Sequence, residues 1–231
     1  MPAHIQYNEN EFKSANNFKV VLSEECYTRL LGDANLCGLH MGSDFNEYGT
    51  MLYGLLKQDQ NDNYIFHFIT PSEFDDYTPN SKRLNLNTTE MQKELIENAI
   101  KKDSPYNCIA HVHTHPYLDI TSKFLSEEDL HFYETYFSNW ENQAQQNGEI
   151  LNSLSCLITI SASNIPAEDD ISFIYYDTNA NQFYNIPNIS VIMHGQEIPL
   201  NKSEESFRYD DGSIIQFDRT LLERQNSLRS R

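Results

Sequence analysis

Residues 111–129 read HVHTHPYLDITSKFLSEED, three histidines at alternate positions followed by Ser126 and Asp129 at what reads as a helix start. The stretch leading in, Tyr106-Asn-Cys-Ile-Ala-His-Val-His113, is short, apolar and strand-forming. Side chains two apart on a strand share a face, so His111, His113 and His115 line up together. Pro116 predicts that the strand stops immediately after His115, because proline has no N–H to give to a ladder. The loop to Phe124 then folds the chain back, and the helix start faces the histidines. Two of the imidazoles can grip one ion. Imidazole nitrogen suits zinc, a catalytic zinc takes three protein ligands and keeps a fourth position open, and Asp129 can supply the third. Ser126-x-x-Asp129 ahead of an apolar run is also a capping box, a role compatible with metal ligation.

Outward from this stretch, the pattern is that of a mixed α/β domain. Phe18-Lys-Val-Val-Leu22 reads as a short strand leading into a helix over 24–31, with Ser23 as N-cap, Glu24 and Glu25 in the first turn and Gly32 as the stop. Strands follow at 48–57 and 63–70, joined by the turn Gln58 to Asn63. Glu47 stands at the head of the first, where Gly49 and Gly54 permit close approach of another backbone or a ligand. Residues 71–87 read as a connecting loop. Thr88 or Thr89 can cap a helix with Met91, Leu95, Ala99 and Ile100 on its apolar stripe. The helix after Ser126 carries Leu130, Phe132, Tyr133, Tyr136, Phe137 and Trp140, aromatics for which packing is the default account. Residues 154–160 and 171–176 are strong strands, and together these elements make a mixed sheet flanked by helices.

The residues now carry a resemblance. His113-x-His115-Pro116 followed by Ser126-x-x-Asp129 resembles the signature of the JAMM metalloproteases, prokaryotic type, of the MPN (JAB) domain superfamily, and Glu47-Tyr-Gly-Thr-Met-Leu-Tyr-Gly54 is similar to that family's upstream glutamate with its glycines. The resemblance covers about residues 18–177 and implies a single domain with a cytidine-deaminase-like arrangement. It implies zinc held by His113, His115 and Asp129, which would activate water and polarise a substrate carbonyl. Glu47 would then shuttle the proton to the leaving amine, and the Ser126 hydroxyl would stabilise the tetrahedral oxyanion. His111 is assigned a supporting or structural role. The implied reaction is hydrolysis of a peptide or isopeptide bond in a protein or peptide substrate, often releasing ubiquitin or a ubiquitin-like protein from a lysine. Two departures stand out: the loop between Pro116 and Ser126 is longer than the family's pattern, and Tyr117 replaces the customary glycine after His-Pro. A non-catalytic MPN-type scaffold and a metallohydrolase acting on small peptides or amino-acid conjugates are the alternatives.

At 231 residues the chain suits one domain with extensions: a flexible arm at 1–17, the domain at 18–177, and a C-terminal extension at 178–231 of unassigned role that can pack on the domain. Within that extension QFYNIP, SVIMHG and GSIIQF are weaker strand candidates. A net charge of −18 disfavours a nucleic-acid partner, whose backbone needs clustered Lys and Arg, and suits a basic one. No run reaches membrane-spanning length and the N-terminus lacks signal-peptide character, so the expected location is the cytoplasm, with no membrane partner. The four cysteines lack CxxC spacing and read as buried thiols rather than disulfides.

Overall fold

The computed structural model describes residues 6–7, 13–39, 48–73, 88–117, 125–161 and 170–200. The first half of the chain forms strands β1 (Gln6–Tyr7), β2 (Lys13–Ser14) and β3 (Phe18–Leu22), helix α1 (Glu24–Leu39), and the hairpin β4 (Gly49–Gln58) and β5 (Tyr64–Pro71). Helix α2 (Thr88–Leu95) runs into a π-helical turn, Ile96–Ile100, before strand β6 (Cys108–Tyr117). Then come β7 (Leu125–Ser126), α3 (Glu127–Gln146), β8 (Asn152–Ser161), β9 (Asp170–Asp177), β10 (Gln182–Ile186), β11 (Asn188–Met193) and β12 (Gln196–Pro199). Ten of these strands join in one mixed sheet, ordered β12-β11-β3-β5-β4-β6-β8-β9-β10-β2, and β1 pairs separately with β7. The protein is therefore mixed α/β, with helices on both faces of its sheet.

Strand β6 sits in the middle, antiparallel to β4 and parallel to β8. Its alternation divides the interior into two cores. Cys108, Ala110 and Val112 join Leu22, Phe68, Phe173 and the α1 residues Cys26, Tyr27 and Leu30 in one. Ile109 turns to the other, among Met51, Met91, Leu95 and the inward face of α3. On α3 the buried positions Leu130, Tyr133, Phe137, Trp140 and Ala144 recur at helical spacing. Full burial of such a side chain is worth about 1.5–3 kcal/mol. The sheet curls strongly: Phe18 on β3 lies 5.2 Å, ring centre to ring centre, from Tyr175 on β9, although four strands separate them in sheet order.

Most local expectations hold. Ser23 caps α1, accepting from the Cys26 N–H at 3.1 Å while its hydroxyl donates to the Ile69 carbonyl at 2.8 Å. Met91, Leu95, Ala99 and Ile100 are all buried. The π turn, closed by Lys101 N–H on the Ile96 carbonyl, shifts the face by one residue, so adjacent Ala99 and Ile100 both point inward while Ile96 is exposed. Cys26, Cys108 and Cys156 are buried free thiols, and burial pushes the Cys26 thiol up to about 12. Among the described residues no helix is long and apolar enough to cross a membrane.

Several expectations need correction. Helix α1 does not stop at Gly32 but continues to Leu39. Gly32 is not in the left-handed conformation that a terminating glycine adopts, and its cost inside a helix, about 1 kcal/mol relative to alanine, is outweighed by the buried face before it. Strand β6 also runs through Pro116 to Tyr117, paired with Ile160 and Ser161 of β8. Among the described residues the pairing on the β4 side of β6 ends at Thr114, whose N–H meets the Tyr48 carbonyl, so proline's missing N–H two residues on forfeits no bond among them. Residues 13–17, expected in a loose arm, supply β2 and the buried Ala15, whose N–H donates to the Asn185 carbonyl. The sheet does not stop at Asp177: β11 pairs in parallel with β3 and buries Ile189 and Val191. The candidate GSIIQF, the residues from 74 to 87 and those from 201 to 231 lie outside the described residues.

Gly54 marks a close backbone approach. A Cβ there would stand 2.2 Å from the His67 carbonyl oxygen across a β-bulge. Gly54→Ala is expected to lose about 3 kcal/mol, the upper range for overpacking. Urea unfolding reads this directly, and a midpoint equal to the parent's would show that the ladder yields freely. Lower on α3, Glu141 accepts from the Ser153 N–H at 3.1 Å and the Thr178 hydroxyl at 3.0 Å, and burial raises its carboxyl to about 7. The folded state thus holds this proton more tightly than the unfolded chain, so stability falls as pH rises from about 4.5 to about 7. Glu141→Gln keeps both hydrogen bonds and removes the charge. It should melt with the parent near pH 4.5 and above it at pH 8; parallel melting curves across that range would refute the assignment.

Candidate metal centre

Three sequence-predicted residues come together. The side-chain donors of His113, His115 and Asp129 lie within 4.8 Å of one another. His113 and His115 project from the same face of β6, and Asp129 reaches them from the first turn of α3. The Asp129 carboxylate divides its oxygens: Oδ1 is 3.7 Å from His113 Nε2, and Oδ2 is 3.6 Å from His115 Nε2. Donors 2.0–2.2 Å from a tetrahedral zinc stand roughly 3.4 Å apart, so the set suits an ion of that size with little adjustment. The group is graded in exposure, with the His113 side chain 3% exposed, His115 12% and Asp129 23%. It therefore opens on the side of His115 and Asp129. Among the described residues His111 lies outside this set.

The helix start is built by the same residues. Ser126 is the N-cap of α3, and its Oγ accepts from the Asp129 N–H at 3.1 Å while the Asp129 carboxylate accepts from the Ser126 N–H at 2.7 Å. The capping box and the ligand set thus share one carboxylate. Ser126 Oγ also donates to Asp129 Oδ2 at 2.7 Å. A role for this hydroxyl toward a substrate oxygen requires its proton to turn away from Asp129. Burial alone would raise the Asp129 carboxyl, but the charges of His113 and His115 and the hydrogen bond from the Ser126 N–H outweigh it and hold the group well below the usual range. A bound cation would supply that positive charge while leaving both imidazoles neutral.

Two neighbours were not singled out as partners from sequence. Tyr133, read there as a packing aromatic, lies with its hydroxyl oxygen 2.8 Å from His113 Nδ1. The signal was present in the four-residue step from Asp129 to Tyr133, which puts both on one helix face. Tyr48, next in the chain to Glu47, is bound by two hydrogen bonds to Thr114, the residue between the two ligand histidines: Thr114 N–H to the Tyr48 carbonyl, and Tyr48 N–H to Thr114 Oγ1, each 2.9 Å. Glu47 itself lies outside the described residues. His111 is wholly buried and rests against His113, Phe132 and Tyr133, with no hydrogen bond at either ring nitrogen among the described residues. Burial, with the charge of His113 adding to it, pushes its imidazole down to about 3, so it stays neutral.

Compared with models of known protein families and with curated proteins, the chain matches none. The side-chain geometry is therefore the ground on which its chemistry is argued.

Ser126→Ala removes the acceptor of the capping box and should cost about 1 kcal/mol of stability. Chemical denaturation checks this, and an unchanged midpoint would mean that the cap contributes nothing to holding Asp129 in place.

Proposed function

We propose that the protein is a zinc-dependent hydrolase of amide bonds, a peptidase or isopeptidase of the JAMM type acting on a protein or peptide, with ubiquitin-like proteins joined to lysine among the substrates. The observation that carries this reading is the convergence of His113, His115 and Asp129 on one point, in the order and on the elements that the resemblance implies. Two imidazoles and a carboxylate suit zinc and leave one of its positions open. When bound, zinc supplies Lewis acidity and lowers the pKa of water in that position.

The remaining steps belong to the chain. His113 and His115 must be neutral to offer their Nε2 lone pairs. Glu47 takes the proton of the attacking water and passes it to the leaving amine. Support comes from Tyr48, one peptide unit from Glu47 and hydrogen-bonded to Thr114 between the two histidines. Ser126 turns its hydroxyl toward the developing oxyanion, a contact worth on the order of 3 kcal/mol in such sites. The curled mixed sheet, read as the MPN arrangement, fits this assignment through the central place of β6 and the position of α3 against it.

The test joins metal content to turnover. The purified chain should carry stoichiometric zinc, and His113→Ala and Asp129→Ala should each lose most of it. On a panel of ubiquitin-like fusions and short peptides, cleavage should be sensitive to chelator. Glu47→Gln should keep zinc and melting temperature yet lose at least about 100-fold in turnover. Unchanged zinc in both ligand variants refutes the metal centre. Near-normal turnover in Glu47→Gln refutes the proton shuttle.

A further inference from the structure

We propose that Tyr133 is the positioning residue of this site: its hydroxyl fixes the ring orientation of His113 through Nδ1, and so presents Nε2 toward Asp129 for a metal ion. The metal part of this claim rests on the metal-centre reading above; the ring-orientation part does not.

One helix holds the ring at Nδ1 and sets a carboxylate opposite Nε2. Nδ1 of His113 lies 2.8 Å from the Tyr133 hydroxyl, and Nε2 lies 3.7 Å from the Asp129 carboxylate. Asp129 and Tyr133 are one helical turn apart on α3, so the helix fixes the imidazole plane against strand β6. The bond is enclosed. Both residues are buried, Phe137 stacks on the Tyr133 ring at 5.0 Å, and the His111 ring lies 5.9 Å from each of them. Loss of the hydroxyl therefore removes a buried hydrogen bond at Nδ1.

A hydroxyl is the group this position requires. With a metal on Nε2 the imidazole proton must sit on Nδ1, and Tyr133 Oη accepts it. Without metal, the Asp129 carboxylate favours the proton on Nε2, and Nδ1 then accepts from the Tyr133 O–H. A carbonyl could only accept and an amide N–H could only donate; a hydroxyl does either by turning. The Nδ1 hydrogen bond of His113 thus persists in both forms. Partners behind a ligating histidine commonly account for 10–100-fold in metal affinity.

The experiment uses the full chain and two readouts. In the metal-free parent, the His113 ring resonances should report the hydrogen bond between Nδ1 and Tyr133. In Tyr133→Phe that signature should be lost, and zinc affinity, measured by competition with a chromophoric chelator, should fall 10–100-fold. Trp140→Phe, on the same buried helix face two turns further on, serves as the packing control: it should lower the melting temperature and leave zinc affinity unchanged. Equal zinc affinity and unchanged His113 ring resonances in parent and Tyr133→Phe would overturn the proposal. Should the parent bind no zinc, the metal-centre reading fails, and the His113 ring resonances alone decide the role of Tyr133.

Discussion

From Cys108 to His113, strand β6 is flanked by β4 and β8 and covered by α1 on one face and α3 on the other, so none of these side chains has a free choice of environment. The rest of the structure depends on that enclosure. Its even positions must be small or apolar to seat α1, and Cys108, Ala110 and Val112 are. Its odd positions carry the three histidines into a layer where a polar ring is expensive unless it finds a partner. Helix α3 supplies those partners from its first two turns: Asp129 faces two imidazoles and Tyr133 backs one of them. A buried polar cluster is tolerated here because the apolar face that follows, through Phe137, Trp140 and Ala144, anchors the same helix.

Asp129 shows how several weak demands are met by one group. It belongs to a capping box, it stands at the positive end of a helix, and it lies between two rings that can carry protons or share a cation. Each favours the ionised carboxylate over a neutral acid, and together they overcome the burial that opposes it. Ser126 gains a fixed position from the same arrangement, and its hydroxyl is tied to the ligand rather than free.

The convergence of His113, His115 and Asp129 was legible because it rests on short-range geometry. A two-residue strand period and a Ser-x-x-Asp helix start fix directions within a few residues, and β6 and α3 deliver them. Ser23 and the stripe from Met91 to Ile100 were legible for the same reason. The failures share a different cause. Gly32 is a stop only if the chain has somewhere else to go, and Pro116 ends a strand only if the edge it faces is paired; both facts are tertiary. Tyr133 was hidden within an aromatic run whose spacing suits packing equally well, and a hydroxyl's partner cannot be read from periodicity. The strands after Asp177 have weak local patterns and acquire their meaning from the open edge of β3.

That edge has a consequence for how the protein is made. Val20 in β3 pairs with Ile189 in β11, so a strand near the start of the chain waits for one near the end of the sheet. At common rates of synthesis the interval is on the order of ten to thirty seconds. Throughout it β3 has an open backbone edge, and the apolar layer that Ile189 and Val191 will seal stays in contact with water or chaperone. The parallel pairing of distant segments makes this a high-contact-order fold whose completion is late. The ribosome-bound chain is thus most vulnerable to strand-mediated association after its histidine strand has been synthesised but before its sheet is closed.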